Sequence, residues 1–81
     1  MEDTAIVQLY WDRDERAISA TSEKYGGYCA AIAVNILDDR ADAEECVNDT
    51  YLAVWNAIPP QKPDPLRTFV CKIARNLAAA K

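Results

Sequence analysis

The chain has 81 residues, 51% of them hydrophobic, and a formal net charge of −4 at pH 7. This length allows one domain with a small core, and the apolar fraction argues against disorder. There is no histidine, no glycine-rich phosphate loop and no apolar run that could span a membrane, and the first residues are acidic where a signal peptide is basic. We therefore predict a cytoplasmic, non-enzymatic domain over residues 1–81 that uses no metal and no cofactor.

Charge is distributed unevenly along the chain. Residues 1–59 carry four basic and twelve acidic side chains, a balance of −8, whereas residues 60–81 carry five basic side chains and one acidic, a balance of +4. A chain of this kind can present one surface to a basic protein and another to a polyanion. The three cysteines (Cys29, Cys46 and Cys71) are odd in number and widely spaced, which favours reduced thiols in packing positions over a disulfide or a zinc site.

Two amphipathic helices are predicted in the first half of the chain. The first runs from Thr4 to Trp11, with Asp3 or Thr4 as its cap. The second runs from about Asp14 to Leu37, and Gly26-Gly27 in its middle indicates either a kink or a place where the backbone of another helix comes close. We expect one bent helix here rather than two. Its apolar set is Ile18, Tyr25, Tyr28, Cys29, Ile32 and Ile36, with Thr21 filling the gap.

The third predicted helix, Asp39–Ile58, has two different faces. Asp39 is a plausible N-cap, with an acid at Asp42 in the first turn. One face is apolar at helical spacing: Ala43, Val47, Tyr51, Val54, Trp55 and Ile58. The other face carries Glu45, Asn48, Asp49 and Asn56 around Leu52. This second face is either a solvated helix back with a single exposed leucine or a polar docking surface with an apolar anchor.

A stiff loop, PPQKPDP, precedes the last predicted helix. Asp64 and Pro65 fit an N-cap and a first helical residue, and the helix should extend from Leu66 to about Ala80. Its apolar face is Leu66, Phe69, Val70, Ile73, Ala74 and Leu77, and its other side is Arg67, Thr68, Cys71, Lys72, Arg75 and Asn76. That basic side either complements the helix dipole in solvent or binds phosphates and base edges.

These elements predict an all-α bundle of about four helices. No segment alternates in the manner of a strand, and no internal repeat is present. We expect the following residues to be largely buried: Ile32, Val47, Tyr51, Val54, Trp55, Phe69, Ile73 and Leu77.

The last two helices carry the segments DDRADAEECVNDTYLAVWNAI and FVCKIARNLA. Together they resemble region 2 of the extracytoplasmic-function (ECF) group of bacterial sigma factors, in which D-x-A-E-[DE]-x-V-Q-[DE]-[TV]-F-L-x-x-W is followed by W-L-x-x-I-A-R-N. The first pattern is kept by Ala43, Glu44, Glu45, Val47, Asp49, Thr50, Leu52 and Trp55, with Asp42 one residue after the position of the pattern's aspartate, Asn48 for glutamine and Tyr51 for phenylalanine. The second is kept by Ile73, Ala74, Arg75 and Asn76, with Phe69 for tryptophan. The first two helices also resemble those of the family, so the likeness covers essentially the whole chain.

The resemblance implies a subunit that binds core RNA polymerase and helps to open promoters. In the family, the helix matching Asp39–Ile58 docks its outer face on the coiled-coil clamp helices of the β′ subunit. By position the contacts are Glu45, Asn48, Asp49 and Leu52, and Asn56 lies on the same face. An anti-sigma factor is a further partner that the resemblance allows, whereas no membrane is implied.

The resemblance also implies a promoter surface on the proline loop and the last helix, which read the minus-ten element on the nontemplate strand. A base flipped from the stack enters a protein pocket, where stacking and hydrogen bonds offset the lost pairing. The matching positions are Lys62, Asp64, Leu66, Arg67, Phe69, Lys72, Arg75 and Asn76.

One departure from the family concerns the length of the chain. The family normally carries a second, helix-turn-helix domain that reads the minus-thirty-five element, so this chain is expected to be an excised domain or a truncated protein. The alternative function, from a different class, is a small helical regulator whose acidic face binds a protein and never touches DNA. Binding to core polymerase and to single-stranded promoter DNA would separate the two.

Overall fold

The computed structural model describes Met1–Lys81 as four α-helices without any strand. They are α1 (Asp3–Trp11), α2 (Arg16–Leu37), α3 (Arg40–Ala57) and α4 (Leu66–Ala79). The prediction of an all-α bundle of about four helices is confirmed, and the predicted bounds lie within two residues of those observed. None of the four helices combines the length and apolarity needed to cross a membrane.

Helix α2 is the centre of the bundle, because it packs against each of the other three helices. Helices α3 and α4 also pack against each other. The main core consists of Ile6, Tyr10, Ala17, Tyr25, Cys29, Val54, Ile58, Leu66, Val70 and Ala74. A second, smaller cluster consists of Ala33, Ala43, Cys46 and Ala78. Inside the bundle the Tyr10 hydroxyl lies 2.6 Å from that of Thr21, so these buried polar groups satisfy each other.

The buried stripe of α3 differs from the predicted one. Its buried residues are Ala43, Cys46, Thr50 and Val54. Of the predicted apolar face, Ala43, Val54 and Ile58 are buried, whereas Val47, Tyr51 and Trp55 are half-buried. The reason is that α3 packs against both α2 and α4, and the line of closest approach between helices takes small side chains. The larger apolar residues lie at the edges and cover it.

The same correction applies to the neighbouring helices. In α4 the fully buried residues are Leu66, Val70, Ala74 and Ala78. The remaining predicted core residues are half-buried: Ile32, Phe69, Ile73 and Leu77. In α2 the predicted apolar face is too wide, because Tyr28 is 46% exposed and Ile36 is 44% exposed.

Of the three predicted helix N-caps, one is confirmed. Asp39 precedes α3 and accepts a hydrogen bond from the Asp42 backbone N–H at 2.9 Å. Asp64 is not the cap of α4, because that helix begins at Leu66 and Pro65 occupies the cap position. Neither Asp3 nor Thr4 caps α1, which begins at Asp3. The Asp3 carboxylate instead accepts hydrogen bonds from α2, where the Tyr25 hydroxyl donates at 2.6 Å and the Lys24 ammonium at 2.7 Å.

The glycine pair does not interrupt α2, which is one helix from Arg16 to Leu37. A Cβ atom added to Gly26 would lie 2.9 Å from the Tyr51 hydroxyl, whereas one added to Gly27 would meet nothing within 4 Å. What comes close at Gly26 is therefore a side chain of α3, not the backbone of another helix that the glycine pair was predicted to admit.

Candidate partner and nucleic-acid surfaces

The side of α3 away from the core presents five residues to solvent. This α3 outer face consists of Glu45, Asn48, Asp49, Leu52 and Asn56, all of them exposed. Leu52 is 58% exposed, the largest exposed fraction among the large hydrophobic residues within the four helices. The phase predicted for this face is therefore observed, although the buried stripe opposite it is shifted. An apolar side chain among acids and amides has the composition of a protein-docking patch.

Two features border the α3 outer face. At one end, the Lys81 ammonium lies 2.9 Å from the Glu45 carboxylate, and this hydrogen bond raises the pKa of Lys81. Glu45 remains largely exposed in this pair, so it stays accessible to a partner. At the side, Asn48 lies at the edge of a shallow cleft of about 430 Å³ between α2 and α3. Apolar side chains of both helices, Val34 and Val47, line that cleft.

A second surface lies between α2 and α4. This α2–α4 groove has a volume of about 670 Å³. Helix α4 contributes Arg67, Thr68, Cys71, Lys72, Arg75 and Asn76, and α2 contributes Tyr28, Ala31, Ile32 and Asn35. Three of these side chains are cations and none is an acid. The chain has a net charge of −4, but the charged side chains that line this groove are all cations, which suits the binding of a polyanion.

Tyr28 and Arg67 join the two walls of this groove. The Arg67 guanidinium carbon lies 4.1 Å from the centroid of the Tyr28 ring, which is a cation–π contact. Sequence reasoning missed the contribution of α2, because Tyr28 was assigned to the core. One signal was available: Tyr28 and Asn35 are seven residues apart, which puts an aromatic and an amide side chain on one helical face.

Seven of the eight residues predicted to contact DNA divide into three groups, and Leu66 is the eighth. Arg67, Lys72, Arg75 and Asn76 are exposed and line the α2–α4 groove. Lys62 and Asp64 lie in the proline loop and border a separate cavity of about 290 Å³ beside α1, together with Asp3, Thr4, Val7, Gln8, Trp11 and Pro63. Phe69 is half-buried against the main core.

Leu66 is a correction to the predicted site. Its side chain has 0% exposure and belongs to the main core. As the first residue of α4 it anchors that helix to the bundle, so it offers no surface to a nucleic acid.

The proline loop is held by the turn between α1 and α2. The Trp11 indole N–H donates a hydrogen bond to the Gln61 carbonyl at 3.1 Å, and the Lys62 ammonium lies 4.9 Å from the centre of the Trp11 ring. Arg13 donates to the carbonyls of Trp55 and Ile58 at 2.9 and 2.6 Å. Its guanidinium carbon also lies 3.6 Å from the centre of the Trp55 ring. These contacts tie the end of α3 and the start of the loop to the first half of the chain.

Comparison with known proteins identifies the family of this chain. The family described as Sigma-70 region 2 matches residues 22–80, well over half of the chain. No curated protein and no solved structure matches it. Region 2 is a helical, non-enzymatic domain through which sigma factors act in promoter recognition and in binding RNA polymerase. The match includes both walls of the α2–α4 groove and the α3 outer face, and the chain belongs to the sigma-70 region 2 family.

Proposed function

We propose that this chain is the region 2 domain of an ECF-type sigma factor, which docks on core RNA polymerase through the α3 outer face and holds the melted minus-ten strand in the α2–α4 groove. The observation that carries the proposal is the groove itself, where three cations stand without an acid on an acidic protein. The two surfaces have no residue in common. Polymerase and promoter therefore do not compete for the same side chains.

The polymerase half of the proposal rests on the α3 outer face. The acids Glu45 and Asp49 are complementary to a basic partner, and Leu52 supplies an apolar anchor between them. The resemblance to ECF sigma factors makes the β′ clamp helices the partner. Support for the ECF type comes from the motif residues on this helix, since most of the D-x-A-E-[DE]-x-V pattern is present.

The promoter half rests on the chemistry of the α2–α4 groove. Lys72 and Arg75 can neutralise phosphates, which fixes the strand without reading its sequence. Asn76 carries both a donor and an acceptor, so its amide can pair with the edge of an exposed base. The groove therefore combines phosphate holding with the means for base recognition, as opening of a promoter requires.

Leu52 provides the direct test of the polymerase half. We expect Leu52→Ala to weaken binding to core RNA polymerase by about 2 kcal/mol or more, because truncating an apolar anchor in an interface has that effect. The thermal unfolding midpoint should hardly change, since Leu52 is 58% exposed and belongs to neither core cluster. Binding is measured by fluorescence anisotropy of the labelled chain titrated with core polymerase, and stability by circular dichroism.

Ile36→Ala is the matched control, because Ile36 is also an exposed aliphatic residue (44%) but lies on α2, outside both candidate surfaces. It should leave polymerase binding intact. If the two variants lose the same amount of affinity for core polymerase, the α3 outer face is not the docking surface. If the wild-type chain binds no core polymerase, the proposal fails, and a small helical regulator becomes the better explanation.

A further inference from the structure

The segment before the matched family region holds the proline loop. The match begins at residue 22, after α1 and the turn that follows it. Two residues of this earlier segment, Trp11 and Arg13, donate hydrogen bonds to the loop region: Trp11 to the Gln61 carbonyl within the loop, and Arg13 to the Ile58 carbonyl directly before it. We call Trp11 and Arg13 the loop brace. The brace therefore lies outside the part of the chain that matches the family.

The proline loop needs hydrogen-bond donors from elsewhere because it has few of its own. Four of its seven residues are prolines, which have no backbone N–H. Of its remaining amides only that of Gln61 donates to the backbone, to the Ala57 carbonyl at 3.1 Å. Backbone carbonyls that the loop cannot pair internally require other donors, and the brace supplies them from α1 and the turn after it.

Arg13 has a backbone conformation that is unfavourable for a residue with a side chain. Its φ is 55°, and Asp38 is the only other non-glycine residue with a positive φ. Its guanidinium group makes three contacts with the end of α3: the Trp55 carbonyl at 2.9 Å, the Ile58 carbonyl at 2.6 Å, and the Trp55 ring, whose centre is 3.6 Å away. A strained backbone that is held by its surroundings is characteristic of functional positions.

We propose that Arg13 is a positioning residue for promoter recognition, which together with Trp11 fixes the proline loop so that its exposed side chains meet the strand in one orientation. The inference rests on the promoter half of the proposed function, with the proline loop as part of the promoter surface. Lys62 and Asp64 of the loop are exposed, whereas the backbone beside them is held by the brace. A loop that is fixed before binding loses less conformational entropy when it binds. Arg13 acts through the loop and does not touch the strand.

Arg13→Gly removes the guanidinium group at little cost to the backbone, since glycine suits a φ of 55°. Without Arg13 the end of α3 and the start of the loop should open more often. Hydrogen exchange of the Ile58 and Gln61 amides, followed by NMR, should become roughly 10- to 150-fold faster, the factor that corresponds to one hydrogen bond from a charged group. Exchange at Val70, in the main core, reports on global unfolding and should change little.

The functional measurement compares two single strands of equal length and composition. One is selected by the wild-type chain from a random single-stranded DNA pool, and the other is its scrambled version. In Arg13→Gly the ratio of the two affinities should fall by at least about fivefold, the lower end of the range for one base-specific contact. Affinity for the scrambled strand should not change, because the cations of the α2–α4 groove are unaltered. Affinity for core polymerase should not change either.

Three further variants serve as controls. Arg16→Ala removes an exposed arginine that pairs with Asp14 at 2.6 Å and makes no contact with the loop, so it should alter neither measurement. Arg13→Lys keeps the charge and can still donate to a carbonyl, so it should retain more of the affinity ratio than Arg13→Gly does. Trp11→Phe loses the indole N–H that binds the Gln61 carbonyl and should lower the ratio as well. If Arg13→Gly does not fold, Trp11→Phe decides the question.

Two outcomes would overturn the positioning role and leave the proposed function intact. If the Ile58 and Gln61 amides exchange in Arg13→Gly as they do in wild type, Arg13 does not hold the loop. If exchange becomes faster but the affinity ratio is unchanged, the position of the loop does not govern recognition. A third outcome reaches further: if the wild-type chain enriches no strand from the pool at low salt but still binds core polymerase, the promoter half of the proposed function fails together with the positioning role.

Discussion

Cys71 is the cysteine that borders a candidate binding surface, and its surroundings differ from those of the other two. Cys71 is half-buried and lines the α2–α4 groove, whereas Cys29 and Cys46 are fully buried. Burial, with smaller contributions from Cys71 and Cys46, raises the pKa of Cys29 to about 11. Burial also raises the pKa of Cys46. Because the thiolate is the reactive form, both buried cysteines should be slow to react.

Alkylation therefore offers a test at the scale of single residues. Iodoacetamide at mildly alkaline pH should modify Cys71 first, and should reach Cys29 and Cys46 only when the protein unfolds. A single-stranded oligonucleotide that fills the α2–α4 groove should slow the reaction at Cys71. The modified residue is identified by peptide mass spectrometry over time.

Cys71→Ser is the control for the alkylation experiment, and it should remove the fast phase entirely. Two results would contradict the assignment: equal reaction rates at Cys29 and Cys71 in the folded protein, or strand binding that leaves the rate at Cys71 unchanged. The second result would put the strand elsewhere on the molecule.

At the scale of helices, Tyr51 meets α2 at a glycine. A Cβ atom on Gly26 would lie 2.9 Å from the Tyr51 hydroxyl, which also donates to the Ser22 hydroxyl at 3.2 Å. Gly27, the next residue, has open space around the position of a Cβ. The two glycines therefore have the same helix propensity but different surroundings, and this makes them a matched pair.

Gly27→Ala should stabilise the chain by about 0.5–1 kcal/mol, the helix-interior difference between glycine and alanine. Gly26→Ala should stabilise it less or destabilise it, because the new methyl group must displace the Tyr51 hydroxyl and its hydrogen bond to Ser22. The measurement is the free energy of unfolding in urea.

A Tyr51→Phe background checks the cause of the difference. Without the hydroxyl, Gly26→Ala should become about as favourable as Gly27→Ala. If the two glycine variants already have the same stability in the wild-type background, the contact with Tyr51 does not limit how closely α2 and α3 approach.

At the scale of the whole molecule, the number, order and bounds of the helices were predictable because their signals are local. Apolar spacing and the proline loop mark where helices begin and end, and the Asp39 cap needs only Asp42 three residues later. The exposed phase of Leu52 followed from the same periodicity. The buried stripes were harder to predict from the sequence. Cys46 and Thr50 become core residues only because α2 and α4 both pack against α3.

The α2–α4 groove was only half predictable. Its α4 wall follows from the basic face of one helix, on which Lys72, Arg75 and Asn76 were identified from sequence. Its α2 wall depends on two segments about 40 residues apart meeting, as Tyr28 and Arg67 do. Helical periodicity carries no information on such a meeting, and it assigned Tyr28 to the core. The prediction of Leu66 as a DNA contact had a different source of error. It was made by position in the family pattern, and position cannot distinguish a buried anchor from an exposed contact.

In the fold, the uneven charge along the chain places acidic and basic side chains on different surfaces. Acids on the α3 outer face come from the negative part of the chain, and Arg67, Lys72 and Arg75 in the groove come from the positive end. Because these three cations all lie on α4, a chain with a net charge of −4 still holds a positive groove. Net charge alone would have excluded a DNA-binding role that the local distribution supports.

The contacts of the proline loop also have an optical consequence. Trp11 and Trp55 are the two tryptophans of the chain, and Trp11 and Arg13 bind carbonyls of the loop and of the end of α3. Intrinsic emission therefore reports on this end of the molecule, and Trp55→Phe would isolate the 36% exposed Trp11. A strand held in the α2–α4 groove should leave that emission nearly unchanged, whereas a base stacked on Trp11 would quench it. The protein thus carries its own fluorophore at the loop, and a titration in which the strand binds without dimming it would exclude a base stacked on Trp11.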